Sequence, residues 1–343
     1  MKAVLVERLS PDLSGTSLVE VPEPVRKPGE LLVAVEAASL NFPDLLMTKG
    51  EYQHKPAVPF VPGMEMAGTV LEADADSPHR PGDLIVAGTR TGGFAERAIV
   101  SAATARRVPE GMSAAAAASV GAAYLTAYVA LVRQGEMQAG DWVLVNGASG
   151  GVGLAAVDLA KAMGAHVIAT SRSAEKLAVI AEEYAPDATI VVEGDWREQV
   201  KALTGGKGVD LAYDPVGGDV FDETARCMAF GGKLMVIGFT SGRIPSIGVN
   251  YPLIKGFAIV GVRAGEYGRR FPEKGRENSA AVWEFAASGR IRPRVHGAFA
   301  LEDWRAAFDA MAAGEIIGKV VIGPERQARE TGEAQWLATT TSS

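Results

Sequence analysis

The chain of 343 residues contains one cysteine, Cys227. A single thiol excludes an intramolecular disulfide framework and a multi-cysteine zinc site. Cys227 itself reads as a small buried hydrophobe, the usual setting of a free cysteine. Positive charge is also short: 34 Lys and Arg against 41 Asp and Glu give a formal net charge of −7. No basic field exists to make nucleic acid the main partner. The histidines, His54, His79, His166 and His296, show no ligand spacing and have no cysteine cluster beside them. No metal is expected. Long apolar runs are missing too; none reaches the roughly 18 residues of a membrane span. The opening "MKAVLVERLSPDLSG" turns polar too early for a secretory signal. Elimination leaves a cytoplasmic location as the expectation, with no membrane partner.

A hydrophobic fraction of 48% with 22% charged residues fits a globular chain, and the length favours two domains. The first 125 residues are β-rich and broken by Pro and Gly. Strands are expected at Ala3–Glu7, Leu31–Ala37, Gly68–Leu71 and Leu84–Ala87, with "RKPGE" and "HRPGD" as turns. From about Thr126 the rhythm changes. "DWVLVNGA", "AHVIATS", "ATIVV", "VDLAYDPVGG", "GKLMVIGF" and "AIVGV" are short apolar runs, with helical patterns at Gly153–Met163, Ala174–Tyr184, Arg197–Leu203 and Val220–Met228. Such alternation predicts a parallel sheet covered on both faces. After Gly261 the pattern is mixed: "AAVWEFAASG" and "LEDWRAAFDAMAAG" read as amphipathic helices and "GKVVIG" as a last strand.

The expected fold is therefore α/β: a doubly wound parallel sheet over residues 126–262, inserted into a β-rich domain of residues 1–125 plus 263–323. "GKVVIG" must return to that first domain to find a sheet. The polar end, residues 324–343, reads as a flexible tail.

"VLVNGASGGVGLAAVDLAKAMG" joins a strand, a glycine turn and a helix. Gly150 and Gly151 let backbone approach a diphosphate, and Gly153 lets the helix pack on its strand. The N–H groups from Ser149 to Val152 open the helix and face an anion. About 20 residues on, where such a unit often has Asp or Glu to grip a ribose 2′-hydroxyl, stands "ATSRSAEKL". No acid lies between Thr170 and Ala174. Arg172 and Lys176 can pair with a 2′-phosphate, and Ser171 or Ser173 can donate hydrogen bonds to it. NADPH is the cofactor expected.

"NFPDLL", "PGMEMAG", "GAAYLTAY", "NGASGGVG", "TSRSAEK", "YDPVGG" and "GKVVI" follow one another in this order. On these motifs, from Met1 to Ile322, the chain resembles the medium-chain dehydrogenase/reductase superfamily, and within it the zinc-free quinone oxidoreductase (zeta-crystallin-like) group. The resemblance implies a GroES-like catalytic domain carrying a Rossmann domain. It also implies a zinc ligand in metal-dependent relatives where this chain has Asn41, and another where it has Met64. An amide and a thioether do not make a zinc site. Glu65, next to Met64, reads as structural.

The same resemblance places Asn41 and Asp44 in the catalytic motif, with Asn41 near the nicotinamide ribose and the acceptor. Tyr52 would hydrogen-bond an acceptor oxygen or, as an amphipathic loop aromatic, shield the cleft. Thr126, Val216 with Gly217, Gly238, Phe239, Thr240 and Val260–Val262 would border the cofactor. Arg263 is a departure with two readings, an anion stabiliser or a solvated charge. Val192 and Glu193 stand where relatives often have an aromatic over the adenine. The activity implied is hydride transfer from NADPH to a quinone. The alternatives are reduction of α,β-unsaturated carbonyls or enoyl thioesters, with the basic run "RRFPEKGR" as mouth or solvated loop, and an NADPH-binding structural or sensor protein. A homodimer is expected through the open strand edge near Ala258–Val262.

Overall fold

The computed structural model describes residues 1–323; the expected tail at 324–343 lies outside the described residues. Contacts divide the described residues into two compact units: residues 1–122 with 293–323, and Ala123–Arg292.

The first unit is built on a seven-stranded sheet. Its long central strand, Glu30–Ser39, pairs antiparallel with Glu65–Glu72 and with Arg97–Ser101. Alternation of Leu31, Val33 and Val35 turns one face inward, and all three are buried. The final strand, Lys319–Gly323, pairs with the same central strand through Val321–Ser39 and Ile322–Ala38, so "GKVVIG" does return to the first sheet. The helix Trp304–Ala313 closes this core with Trp304 and Phe308, and Phe308 meets Phe94 edge-on at 5.9 Å. Each such ring contributes roughly 1.5–3 kcal/mol by burial.

The second unit holds a six-stranded parallel sheet. In spatial order its strands are Ala188–Val191, His166–Ser171, Trp142–Val145, Val209–Asp214, Met228–Val236 and Ala258–Gly261. Numbered along the chain, that is the order 3-2-1-4-5-6 of a doubly wound dinucleotide fold. The order reverses between Trp142–Val145 and Val209–Asp214, and ligands bind beyond the carboxyl ends at such a point. The helices predicted between these strands form at Gly151–Ala162, Ala174–Tyr184, Trp196–Leu203 and Gly218–Arg226. Cys227 is buried as expected, its thiol donating to the Glu223 carbonyl and pushed up to about 12 by desolvation.

Two expectations need correcting. The boundaries near 125 and 263 fall instead at 122/123 and 292/293, because Ala264–Arg270 and Pro272–Ala287 are helices of the second unit. Arg133 ties the longer helix down, pairing with Glu277 at 2.5 Å and donating to buried Asn278. Gly261 anchors Gln134 in the same region. Likewise "RRFPEKGR" is not a loop but spans these two helices. Arg269 and Arg270 both pair with Glu266, each at 2.9 Å, so their charge is already partly offset. Among the described residues no helix is long and apolar enough to cross a membrane.

Candidate active site

In the second unit the sequence motifs converge on the carboxyl ends of the strands. Gly150 is the N-cap of the helix Gly151–Ala162, and the first N–H groups of a helix have no intrahelical acceptor. A methyl at Gly153 would lie 2.3 Å from the Gly147 carbonyl oxygen; only glycine lets this helix close on its strand. Gly150 differs. Its φ of −76° and ψ of 162° suit any residue, and a methyl there would meet only the Gly147 oxygen, at 3.5 Å. The fold does not require glycine at that position.

The neighbouring loops continue outward from this turn. Ser149 Oγ lies 3.4 Å from Ser171 Oγ at the end of the second strand. Ser173 caps the helix Ala174–Tyr184, its hydroxyl accepting from the Lys176 backbone N–H at 3.2 Å. That leaves Ser173 its own proton to give. Arg172 is exposed and Lys176 half-buried, both within the first turn that follows the strand. On the other side, Gly147 approaches Val216, and Gly217 approaches Phe239. Thr240 donates to the Pro215 carbonyl, which braces the Gly238–Thr240 turn. Val260 and Val262 flank the end of the edge strand, and Val262 is buried. Arg263 precedes the helix Ala264–Arg270 and is exposed. Thr126 sits half-buried in the helix Gly121–Tyr128. Val192 donates its N–H to the Ser171 carbonyl, and no aromatic replaces it at that strand end.

Beneath these loops lies a buried polar network that sequence reasoning missed. Asp214 accepts from the N–H groups of Val216 and Gly217 and from Asn146 Nδ2. Asn146 also donates to Thr224 and accepts from Thr170. Burial raises the Asp214 carboxyl, and those donors oppose it. The network fixes the turn carrying Val216 and Gly217. An Asn before the first glycine and an Asp before "PVGG" were the only signals available.

In the first unit, Asn41, Asp44, Glu65 and Lys319 form one buried polar cluster. Asp44 was expected to be a catalytic group, but it is fully buried, and its two oxygens accept from the N–H groups of Asn41 and Gly63. It ties the start of the helix Phe42–Lys49 to the "PGMEMAG" loop rather than meeting an acceptor. Desolvation is the main cause that pushes its carboxyl up to about 7, against those two N–H groups and the Lys319 ammonium. Glu65 is structural, as expected. It accepts from Asn41 Nδ2 at 3.0 Å, from the Ala122 N–H at 2.7 Å and from Lys319 Nζ at 3.3 Å. Tyr52 and Met64 pack on a small apolar cluster of Val6, Met47 and Phe60. Among the described residues no group of three or more His, Cys, Asp or Glu could hold a metal ion.

Comparison with known proteins decides the family. Residues 27–110 match the alcohol dehydrogenase GroES-like domain and residues 151–281 the zinc-binding dehydrogenase domain. The chain is 36% identical, over 87% of its length and 82% of the relative, to a quinone oxidoreductase-like protein 2 homologue of Nematostella vectensis. It belongs to the medium-chain dehydrogenase/reductase superfamily, in its quinone oxidoreductase group. Among solved structures, the Thermus thermophilus quinone oxidoreductase, known also as its NADPH complex, is 32% identical. It aligns with a TM-score of 0.81 over 94% of this chain and all of that one. A mycobacterial protein complexed with NADPH is 30% identical, with a TM-score of 0.86 over the same shares. This is a superfamily of NAD(P)-binding oxidoreductases. The matched zinc-binding dehydrogenase segment, residues 151–281, does not include Asn41 or Met64.

Proposed function

We propose that the protein is a zinc-independent, NADPH-dependent reductase of quinones. Gly150 carries the reading: backbone and neighbours alike would accept a side chain there, so the open space above it is explained by a diphosphate lying against the helix N-terminus. Arg172, Lys176 and the Ser171 hydroxyl would hold the 2′-phosphate, and the absence of an acid at this strand end removes the repulsion. Thr126, Val216, Gly238, Phe239, Thr240, Val260 and Val262 would border the rest of the cofactor. When bound, NADPH supplies a hydride from its nicotinamide C4, which with one proton from solvent converts quinone to hydroquinone. The chain's residues position the reactants and exclude water. Tyr52 offers its hydroxyl to the acceptor oxygen, and the apolar cluster behind it suits a ring. Zinc independence rests on donor chemistry: Met64 brings a thioether, and the Asn41 amide is committed to protein partners.

Stopped-flow loss of NADPH absorbance against benzoquinone, naphthoquinone, an enone and an enoyl-CoA tests this reading. Quinone turnover that survives exhaustive chelation is expected. Turnover of the enone or the enoyl thioester alone would overturn the quinone assignment, and tight NADPH binding without any turnover would favour a structural or sensor role.

The same reading includes a homodimer. Among the described residues the edge strand Ala258–Gly261 pairs on one side only, with Met228–Val236. Beside it Phe230, Val249, Leu253 and Ile254 are 76–89% exposed. That is a far larger apolar surface than a lone strand edge explains. A second copy pairing edge to edge about a twofold axis would cover both features. Light scattering is expected to give twice the 35.8 kDa chain mass, and Leu253→Asp with Ile259→Asp to give a monomer. A monomeric parent protein would contradict the proposal.

A further inference from the structure

The chain enters the second unit at Ala123 and leaves it at Arg292. One carboxylate oxygen holds it at both ends. Asp158 Oδ2 accepts from the Tyr124 hydroxyl at 2.6 Å and from the Arg292 backbone N–H at 2.6 Å. Tyr124 comes 34 residues before Asp158 in the sequence, and Arg292 comes 134 residues after it. Hydrogen bonds to a carboxylate are charge-assisted, the stronger kind. Tyr124 is 2% exposed and Asp158 6%, so water cannot replace either partner at low cost. Burial raises the Asp158 carboxyl, and the Tyr124 hydroxyl and Arg292 oppose it. The carboxylate stands on the helix Gly151–Ala162, whose residues 153–160 are all buried. The clamp is therefore carried by the packed core of the unit.

The leaving end is gripped further. The Arg292 carbonyl accepts from the Tyr184 hydroxyl at 2.8 Å, and its guanidinium donates to the Glu183 carbonyl at 3.2 Å. Arg290 donates to the Ala162 carbonyl at 2.6 Å. Glu183 and Ala162 lie in the last turns of the helices Ala174–Tyr184 and Gly151–Ala162. Carbonyls there lack intrahelical donors, and the helix dipole favours cations. Ile291, between the two arginines, is buried.

We infer that Asp158 is a clamp which joins the two ends of the second unit, so that the segments at Tyr124 and at Arg292 are released together or not at all. A hinge in either connection then lies outside these two residues. Pro293 follows at once, and its ring fixes φ there.

Amide hydrogen exchange in the full-length protein, read residue by residue, tests the clamp. In the parent, Arg292 and Tyr124–Tyr128 are expected to share one opening. It should be at least about tenfold more frequent than that of the strand Trp142–Val145, since cooperative local units open below the global limit. Tyr124→Phe removes one hydroxyl and should speed exchange at Arg292 about tenfold, the scale of one hydrogen bond to a charged group. Asp158→Asn keeps the shape with a weaker acceptor, and should speed exchange at both segments by the same factor. Mild trypsin gives a second reading. Cleavage between Arg290 and Ile291 tracks the population of the open form, so Tyr124→Phe should raise it about tenfold as well. An Arg292 amide and an Arg290 cut that are indifferent to Tyr124→Phe would mean that the two ends are held separately. Exchange of Arg292 at the rate of the strand amides would mean that the segment has no opening of its own. Either result overturns the inference.

Discussion

Replacing Arg172 and Lys176 together by glutamate is expected to raise the Kd for NADPH about a hundredfold and to change that for NADH less than about threefold. Two charge-assisted hydrogen bonds to a phosphate, discounted for an exposed site, are worth about 1.4 kcal/mol each, and every 1.4 kcal/mol is tenfold in affinity. The added carboxylates repel the phosphate further, whereas NADH carries no phosphate at that position for them to repel. Folding should be indifferent to the change. Arg172 is exposed and Lys176 only half-buried, and acids in a first helical turn agree with the helix dipole. The preference should weaken as salt is added, because the pairs are open to solvent. Calorimetric titration with each coenzyme measures it. Equal loss for both coenzymes would mean that these side chains hold something other than the 2′-phosphate.

The second large effect separates two glycines three residues apart. Gly153→Ala should lower the melting temperature and leave the ligand surface intact. The new methyl would sit 2.3 Å from the Gly147 oxygen and 3.0 Å from the Ala148 Cα, and backbone cannot step aside cheaply. Overpacking of this kind costs about 1–3 kcal/mol, against a gain of about 1 from better helix propensity. The net loss, about 1 kcal/mol, would lower the melting temperature by roughly 2–4 °C in a unit of this size. Gly150→Val should do the reverse: a melting temperature within about 2 °C of the parent, which corresponds to less than about 1 kcal/mol, and NADPH binding weakened at least about tenfold. If Gly150→Val melts early and binds normally, the open space above it belongs to the fold and not to a ligand.

Much of this architecture is legible in the sequence because it is local. The strand–helix alternation, the glycine turn and the serine and basic residues at the second strand end each depend on a few neighbouring residues. Periodicity and spacing therefore report them directly. The domain boundary near 263 failed because Ala264–Arg270 and Pro272–Ala287 are amphipathic helices with no strand between them. Nothing in their pattern says which unit receives the apolar face; Arg133, more than 140 residues earlier, decides it. "RRFPEKGR" looked like a loop because Pro and Gly interrupt it. In the structure Pro272 opens a helix, where its missing N–H has no cost. Lys319 was invisible for a different reason. Lysine at the start of an apolar strand is ordinary, and only the antiparallel return of that strand places it against Asn41 and Glu65. Asp44 is marked by its motif, and the structure shows it buried with both oxygens accepting from backbone N–H groups, as a brace would.

The central claim is that Ser171, Arg172 and Lys176 read a phosphorylated ribose in the second unit. Its most direct test is titration of the unmodified protein with NADPH and NADH side by side at low and at moderate salt. Binding of NADPH at least about tenfold tighter at low salt, with the gap narrowing as salt rises, is the predicted result. Equal affinities, or a preference for NADH, would contradict it.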